Sequence, residues 1–181
     1  NYWSLTSLVN FFKQFESTIF KAEKINTHGG SIRIYIKKTK KIKIENSVKT
    51  LLKEEEVFGI KELKTYQVFG EKINKLKENV IKNISKLKEK NKKIIGFGAP
   101  AKATTALNFF GISNQIDLVI EDNKLKHNKF IPGVCIPIRN KKVVKEKNPL
   151  ILVLAWNFYE DIKKNNSELS NNFINIKDLE S

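Results

Sequence analysis

The sequence predicts an α/β protein: a Rossmann-like domain of three layers with a mostly parallel sheet, preceded by a long amphipathic helix and by an N-terminal helix with a β-hairpin. Three observations carry this prediction. Apolar runs alternate with helical patterns over residues 93–181, which favours parallel strands joined by right-handed crossovers. One apolar stripe with helical spacing lies within residues 45–92. Residues 1–44 contain a helical pattern and two strand-like runs, so the predicted parts are 1–44, 45–92 and 93–181.

The first part is predicted to be a helix followed by an antiparallel hairpin. Ser4 or Thr6 can cap a helix through SLTSLVNFFKQF. The runs 17–25 and 31–37 have strand character, and in the second run isoleucines alternate with polar residues. The glycines of the intervening NTHGG supply the positive φ that a tight connection needs. A helix and a hairpin cannot bury both faces alone, so we expect the rim of a larger sheet whose other strands lie outside this chain.

The second part is predicted to be helical, with one apolar face. A coiled coil is one use of such a face, but the pattern covers only about three heptads, so packing across a neighbouring sheet is favoured. Gly59 and Gly70 are expected to break or bend the helix. The stripe comprises Tyr66, Phe69, Ile73, Leu76, Val80, Ile84 and Leu87.

The third part alternates strand and helix. IIGFG predicts a strand, and Pro100 suits the first turn of the next helix. That helix runs through KATTALNFF and stops at Gly111. IDLVIED, LILVLAW and NFINI predict further strands, and NFYEDIKK a helix. Between IDLVIED and LILVLAW, a polar loop turns into an extended segment bracketed by prolines.

Composition excludes several classes of protein. The 181 residues contain one Cys, whereas disulfide frameworks and thiolate zinc clusters need several. With two His, no metal-binding spacing is present. The longest apolar run, 150–156, is far shorter than the roughly 20 residues that cross a bilayer, and no signal segment opens the chain. We therefore predict no membrane contact and a cytoplasmic location. The chain begins at Asn1 and has no Met, so we expect a fragment or a processed product.

The strong positive charge invites a nucleic-acid hypothesis, which the composition disfavours. Lys plus Arg number 34 and Asp plus Glu 19, a net charge of +15. Only Arg33 and Arg139 are arginines, whereas recognition of bases and phosphates favours the planar fork of Arg. The lysines are dispersed, and the densest run, 37–43, is typical of a solvated strand end. The charge still favours an anionic small ligand.

A glycine-rich turn stands between the first strand and helix of the third part. Gly96, Gly98 and Ala101 in GFGAPA match the pattern G-x-G-x-x-G/A. There the first glycine permits the turn, the second admits a phosphate, and the small third residue lets helix and strand pack closely. Glu121 and Asp122 end the next strand at about the distance of a ribose-binding carboxylate. The alternative is that the glycines serve packing alone.

Lys102 points to an anionic ligand at this turn. It lies in the first turn of the helix, where the helix dipole disfavours a cation. An anion there would meet both the free N–H groups and the ammonium, so we predict that Gly96, Gly98, Ala99 and Lys102 face a phosphate or similar group. The alternative is a lysine that extends into solvent.

Further candidates follow the other strands. Asp122 and Lys126, with His127 and Lys129 nearby, lie in the loop after IDLVIED. Trp156 and Asn157 end LILVLAW at the same predicted edge, where an indole can stack on a base or sugar and an amide can bind polar atoms. Trp156 as ordinary core is the equal alternative. Away from this edge, His28 is predicted to be a turn residue and Cys135 a small buried hydrophobe.

Long segments resemble the sugar C-methyltransferase family. GFGAPAKATTALNFFGI, IEDNKLKHNKFIPGVCIPI and LILVLAWNFYEDI are similar to its C-terminal domain in order and spacing. YWSLTSLVNFF and HGGSIRIYI resemble the last helix and hairpin of its S-adenosylmethionine-binding domain. The departures are Ala103 where the family usually has Gly, Val134 and Cys135 in place of a common Thr-His, and a final strand without the usual prolines.

The resemblance implies a transferase whose chemistry lies mostly upstream. Family members carry a zinc-binding segment and a methyltransferase domain before this one, and a Glu-His pair implicated in proton transfer just before the segment that matches NYWSL. No catalytic residue is carried over to this chain, and no metal site. S-adenosylmethionine is the implied cofactor, bound by the upstream domain, so the isolated chain is expected to be inactive.

The leading hypothesis is therefore the C-terminal portion of an S-adenosylmethionine-dependent C-methyltransferase that acts on a nucleotide-linked sugar, with the upstream domain as partner. The predicted substrate-binding residues are Gly96, Gly98, Ala99, Lys102, Asp122, Lys126, Trp156 and Asn157. One alternative is an NAD(P)- or other dinucleotide-binding module without catalysis; a basic nucleic-acid-binding protein is the other. The sugar, the carbon that is methylated and the oligomeric state stay open.

Overall fold

The computed structural model describes residues 2–90 and 93–181, and the chain divides into two compact units, Asn1–Gly70 and Glu71–Ser181. The predicted domain division at residues 44 and 92 stays a prediction. The helices are α1 (Leu5–Lys13), α2 (Asn46–Phe58), α3 (Leu63–Lys90), α4 (Ala101–Phe110) and α5 (Tyr159–Asn165). The strands are β1 (Thr18–Ile25), β2 (Ser31–Lys37), β3 (Ile94–Phe97), β4 (Leu118–Ile120), β5 (Ile138–Arg139), β6 (Leu150–Val153) and β7 (Phe173–Asn175).

In the first unit, α1 and α2 cover the antiparallel pair β1–β2. Ser4 caps α1, because its hydroxyl accepts the amide hydrogen of Ser7 at 3.0 Å. The predicted hairpin is confirmed, and its connection has φ values of 88° at Gly29 and 124° at Gly30. The buried side chains of this unit are Leu5, Ile19, Ala22, Val48 and Leu51.

The predicted helix over 45–92 is two helices. Gly59 ends α2 in the left-handed conformation, with φ of 75°, whereas Gly70 lies inside α3 without breaking it. The apolar stripe also divides: Tyr66 and Phe69 are exposed, at 54% and 61%. Its C-terminal half, including the fully buried Val80, packs against the core of the second unit. Packing across a sheet, rather than a coiled coil, is therefore confirmed for that half.

The second unit is a sheet of five parallel strands in the order β5-β4-β3-β6-β7, which confirms the Rossmann-like prediction. The central strands β3 and β6 have continuous apolar sequences because both faces of the sheet are covered. Side chains of α3 and α4 pack on one face, and side chains of α5 pack on the other, so the unit has three layers. The short strand β5 was predicted only as an extended segment.

The strand order fixes where a ligand site is expected. From β3 the chain runs outward through β4 and β5, then returns to the other side of β3 for β6 and β7. The order therefore reverses between β3 and β6, and open α/β sheets bind ligands in the crevice beyond the carboxyl ends of the strands at such a switch point.

Other predictions concern membranes, metals and the cysteine. None of the helices in the described residues combines the length and the apolar character needed to cross a membrane. Across 2–90 and 93–181, no group of three or more His, Cys, Asp or Glu side chains is placed to hold a metal ion. The prediction that Cys135 is buried is wrong: it is exposed in a tight turn with φ of 54°.

Candidate functional site

Gly96 is explained by packing. It lies inside β3, paired with Val119 on one side and Leu152 on the other. A Cβ at this position would lie 2.9 Å from side-chain atoms of both Val119 and Leu154. A larger residue would therefore push the neighbouring strands apart. The backbone of Gly96 is therefore enclosed by the sheet.

Gly98 makes the turn itself. Its φ is 88°, and its amide donates to the carbonyl oxygen of Ile120 at 2.8 Å. A Cβ on Gly98 would lie 2.8 Å from the Cβ of Ala155, which follows β6. On this side of the turn, Ala155 of the protein itself thus occupies the place next to Gly98 where the sequence predicts a phosphate.

The small residue that packs α4 against the sheet is Ala103. The sequence pattern assigned this role to Ala101, but Ala101 is exposed and Ala103 is fully buried. The reason is the helix period: Pro100 is the N-cap, so Ala101 is the first helical residue and the inward face begins two residues later. Ala103 is also the position where the resembling family usually has Gly.

The carboxylate of Glu121 is committed to the turn. One oxygen accepts the amide hydrogen of Ala99 at 2.8 Å, and the other accepts that of Asn123 at 3.0 Å. The ammonium of Lys126 lies 3.0 Å from the carbonyl oxygen of Ala99 and 3.4 Å from Glu121 Oε2. Both backbone polar groups of Ala99 are therefore engaged, and the loop after β4 is tied to the turn after β3.

The surroundings of Glu121 keep it ionised. Burial acts to raise the pKa of this carboxyl group, but the amides of Asn123 and Ala99 and the charge of Lys126 outweigh burial, so its pKa is lowered. The bonds from Ala99, Asn123 and Lys126 occupy three of the about four acceptor positions of this carboxylate. The ribose-binding role suggested by its spacing is therefore not supported for Glu121.

Lys102 and Trp156 meet above the switch point. Lys102 follows β3 by way of the turn, Trp156 follows β6, and the two strands are neighbours. The ammonium nitrogen of Lys102 lies 4.2 Å from the centroid of the indole ring, a cation–π contact. Trp156 is half-buried, packed in part against the core. Lys102 thus folds over an aromatic face instead of extending into solvent.

The electrostatic surroundings of Lys102 are unfavourable to a cation. Burial first, and then the charge of Lys177 in the turn after β7, lower the pKa of Lys102. No carboxylate within the part of the chain that the structure describes forms an ion pair with it. The first turn of α4 adds the positive end of the helix dipole. Lys102, Lys177 and the start of α4 therefore bring positive charge together at the carboxyl edge of the sheet.

The remaining predicted residues follow β4 and β6. Asp122 is exposed beside Glu121, and Asn157 is exposed in the short 3₁₀ turn that begins at Trp156. His127 lies 2.7 Å through its Nε2 from the carbonyl oxygen of Glu121, and therefore supports the loop. The structure thus brings Lys102 and Trp156 together, and gives Ala99 and Lys126 a place in the wall of the turn.

Lys177 is a residue that the sequence analysis missed. It follows β7 as Trp156 follows β6, so the rule that sites gather at the carboxyl ends of parallel strands was the available signal. The internal role of Glu121 had no comparable signal, because spacing alone cannot tell a carboxylate that binds a ligand from one that binds a neighbouring backbone amide.

Comparison with known proteins identifies the family of the chain. The family model described as "C-methyltransferase C-terminal domain" matches residues 26–175. The C-methyltransferase NovU of Streptomyces niveus is 28% identical over 175 residues, which cover 95% of this chain and 42% of NovU. The chain thus spans less than half the length of that relative. The resemblance to the sugar C-methyltransferases is confirmed.

Proposed function

The chain belongs to the family of C-methyltransferase C-terminal domains, and from this membership we propose that it is the substrate-binding C-terminal portion of an S-adenosylmethionine-dependent C-methyltransferase. The proposed substrate is a nucleotide-linked sugar, and the proposed location is the cytoplasm. Methyl transfer itself is assigned to an upstream domain, as in the family that the sequence resembles. The residues of this chain bind and orient the sugar carrier.

The observation that carries the proposal is the Lys102–Trp156 contact at the switch point. A cation and an aromatic face lie 4.2 Å apart, centroid to nitrogen, in a region to which Lys177 adds positive charge. A nucleotide offers the two complementary groups, an anionic phosphate and a planar base. The proposed contacts are phosphate with Lys102 and Lys177, and base or sugar with Trp156.

The neighbouring residues complete the proposed site. Asp122 and Asn157 are exposed at the same edge and can bind hydroxyl groups of a sugar. Gly98 lets the turn lie close to β6, and the bonds among Ala99, Glu121 and Lys126 hold it there. Ala99 and Lys126 therefore act as support for the site instead of direct ligand contacts.

Two of the contacts that a dinucleotide makes at such a turn are taken up within the protein. A dinucleotide places a ribose hydroxyl on a carboxylate at the end of the second strand and its pyrophosphate beside the glycine-rich turn. Glu121 is instead bound to Ala99 and Asn123, and the space beside Gly98 is filled by Ala155. Asp122 is the exposed carboxylate that remains at this edge, so the dinucleotide-binding module stays the second candidate, and titration with NAD⁺ tests it.

The proposed partner is the upstream methyltransferase domain. NovU is more than twice as long as the segment that matches, which leaves room for such a domain. The first unit presents exposed aromatic side chains on α1 and on either side of it: Phe11 of α1 packs against Trp3 and Phe15, with ring centroids 5.6 and 5.1 Å apart. This apolar face and the hairpin of two strands agree with the rim of a larger sheet. We propose that the upstream domain covers them.

A binding titration tests the substrate assignment. A nucleoside diphosphate sugar, NAD⁺ and S-adenosylmethionine are each titrated into the chain by calorimetry, with wild type, Lys102→Ala and Lys77→Ala. Lys77 is a matched control because its ammonium also lies over an aromatic ring, that of Phe109, at 5.1 Å. We expect only the sugar nucleotide to bind, and Lys102→Ala to weaken it about 10-fold, the value of one charge-assisted hydrogen bond. Unchanged binding in Lys102→Ala would remove Lys102 from the site.

The salt dependence of binding distinguishes the proposed function from the nucleic-acid hypothesis. A protein that holds a phosphate backbone through many lysines loses affinity steeply as salt rises, because each contact releases a counterion. The proposed small ligand engages two cations only. We expect single-stranded DNA to bind weakly and a sugar nucleotide to bind with shallow salt dependence. Tight, steeply salt-dependent DNA binding would favour the basic nucleic-acid-binding protein instead.

A further inference from the structure

The ammonium of Lys102 covers the ring that the proposed function offers to a base. Its nitrogen lies 4.2 Å from the centroid of Trp156, which is where a stacked base would lie. A planar group and this ammonium cannot occupy the same face together. The structure therefore holds the aromatic surface in a covered state, and binding of a base requires the lysine to move.

Several features make Lys102 ready to leave the ring. The described residues offer it no carboxylate partner, and Lys177 and the start of α4 both add positive charge nearby. Contact with a ring face is a weak attraction, whereas a phosphate gives an ammonium both opposite charge and short hydrogen bonds. A phosphate is therefore the stronger partner, and lysine side chains change rotamer without moving the backbone.

We propose that Lys102 is a gate over Trp156: the anionic group of a ligand draws the ammonium away from the indole, and the freed ring face accepts the planar base of the same ligand. This inference rests on the proposed function and adds the order in which the parts of the ligand bind: the anionic group first and the base second. The ligand class is one that joins an anion to an aromatic base, such as a nucleoside diphosphate. A nucleoside without phosphate has to displace the ammonium without compensation, and pyrophosphate draws the ammonium away without occupying the ring face.

The gate predicts opposite effects of one substitution on two ligands. In wild type, thymidine must displace the ammonium without compensation, whereas thymidine diphosphate supplies the phosphate that takes it. In Lys102→Ala the ring is uncovered and the phosphate contact is lost. We expect thymidine to bind about 3-fold more tightly and thymidine diphosphate about 10-fold more weakly than to wild type. Lys102→Arg keeps a cation that can stack on the ring, so the affinities for thymidine and thymidine diphosphate should not shift in opposite directions in this variant.

The fluorescence emission of Trp156 reports directly whether Lys102 covers the indole ring. The chain has two tryptophans, so Trp3→Phe leaves Trp156 as the one reporter. In this background we expect thymidine diphosphate to change the emission strongly. Pyrophosphate should change it through withdrawal of Lys102, and should have no effect once Lys102→Ala is added.

The outcomes separate the gate from the function on which it rests. Calorimetric binding of thymidine diphosphate with unchanged Trp156 emission would overturn the gate and leave a nucleotide site elsewhere on the chain. A parallel loss of affinity for thymidine and thymidine diphosphate in Lys102→Ala would also overturn it, because an uncovered ring should favour the nucleoside. Absence of binding by thymidine diphosphate and by its sugar conjugate would overturn both proposals. Opposite shifts for the two ligands support the gate.

Discussion

The carboxylate of Glu121 accepts the amide hydrogen of Ala99 at 2.8 Å. A side chain that ends β4 thus holds the turn that follows β3, with Lys126 bound to both residues. In a dinucleotide-binding fold the acid at the end of this strand binds the ribose. Here the same position serves the shape of the turn, and the proposed ligand contacts lie on the other side of β3, around Trp156 after β6.

The first prediction concerns Glu121→Gln. The amide side chain keeps one acceptor but loses the charge that binds Ala99, Asn123 and Lys126, so we expect a loss of about 1–2 kcal/mol in the free energy of unfolding at pH 7. Because the folded state lowers the pKa of Glu121, this contribution is present above the ordinary carboxyl pKa of 4.5 and is lost as the pH falls through the lowered value.

Urea unfolding of wild type and Glu121→Gln at pH 7 and at pH 3 measures both effects. The difference between the two proteins should shrink at the lower pH. Asp122→Asn is the matched control, because Asp122 is the exposed neighbour. If Glu121→Gln loses no free energy of unfolding at pH 7, or loses only as much as Asp122→Asn, the role given to Glu121 is contradicted.

The second prediction compares two glycines with positive φ. Gly98→Ala meets both a left-handed backbone and the Cβ of Ala155 at 2.8 Å, whereas Gly111→Ala meets the backbone strain alone, since nothing lies within 4 Å. We expect Gly111→Ala to destabilise by about 1 kcal/mol and Gly98→Ala by about 2–3 kcal/mol. Thermal unfolding of both variants checks the order. Equal losses of stability in the two variants would mean that the chain can move away from Ala155 at no cost in free energy.

The third prediction concerns the first unit. The carboxylate of Glu55 in α2 accepts the amide hydrogens of Leu5 and Thr6 at 2.6 and 2.7 Å, and so binds the start of α1. We expect Glu55→Ala to destabilise this unit by about 1–2 kcal/mol. Hydrogen exchange of the α1 amides should become faster, with little change in β3. Glu54→Ala, whose carboxylate pairs only with exposed Lys24 among the described residues, is the control and should leave α1 exchange unchanged.

The fourth prediction concerns activity. The 181-residue chain alone is expected to transfer no methyl group from S-adenosylmethionine to a nucleotide-linked sugar, because the proposal assigns cofactor binding to an upstream domain. Transfer of radiolabelled methyl measures this, with a full-length family member as the positive control. Labelled sugar nucleotide formed by this chain alone would contradict the division of labour.

The sequence predicted those parts of the fold that local pattern controls. Alternating isoleucines located β2, and the stop at Gly111 followed from its position after the apolar face of α4. Glycine identity was not sufficient elsewhere: Gly59 ends a helix and Gly70 does not, because a glycine permits a left-handed φ without requiring it. The strand β5 is two residues long, too short for a periodic signal.

The site was less accessible to sequence reasoning. Its strand ends were located correctly, since Lys102 and Trp156 follow neighbouring parallel strands. The partners of individual side chains depend on tertiary distances that no spacing in the sequence encodes: Lys126 binds Ala99, and Glu121 binds the same residue. Lys177 lies 75 positions after Lys102 and comes near it only through the order of the strands.

The most direct test of the account is to map binding of a nucleoside diphosphate sugar by amide and indole NMR shifts on the isotopically labelled chain. The account predicts the largest shifts at the Trp156 indole, at Gly98 and Lys102, and at Lys177, with small shifts in the first unit. Saturable binding whose shifts lie away from these residues, or the absence of saturable shifts altogether, would contradict it.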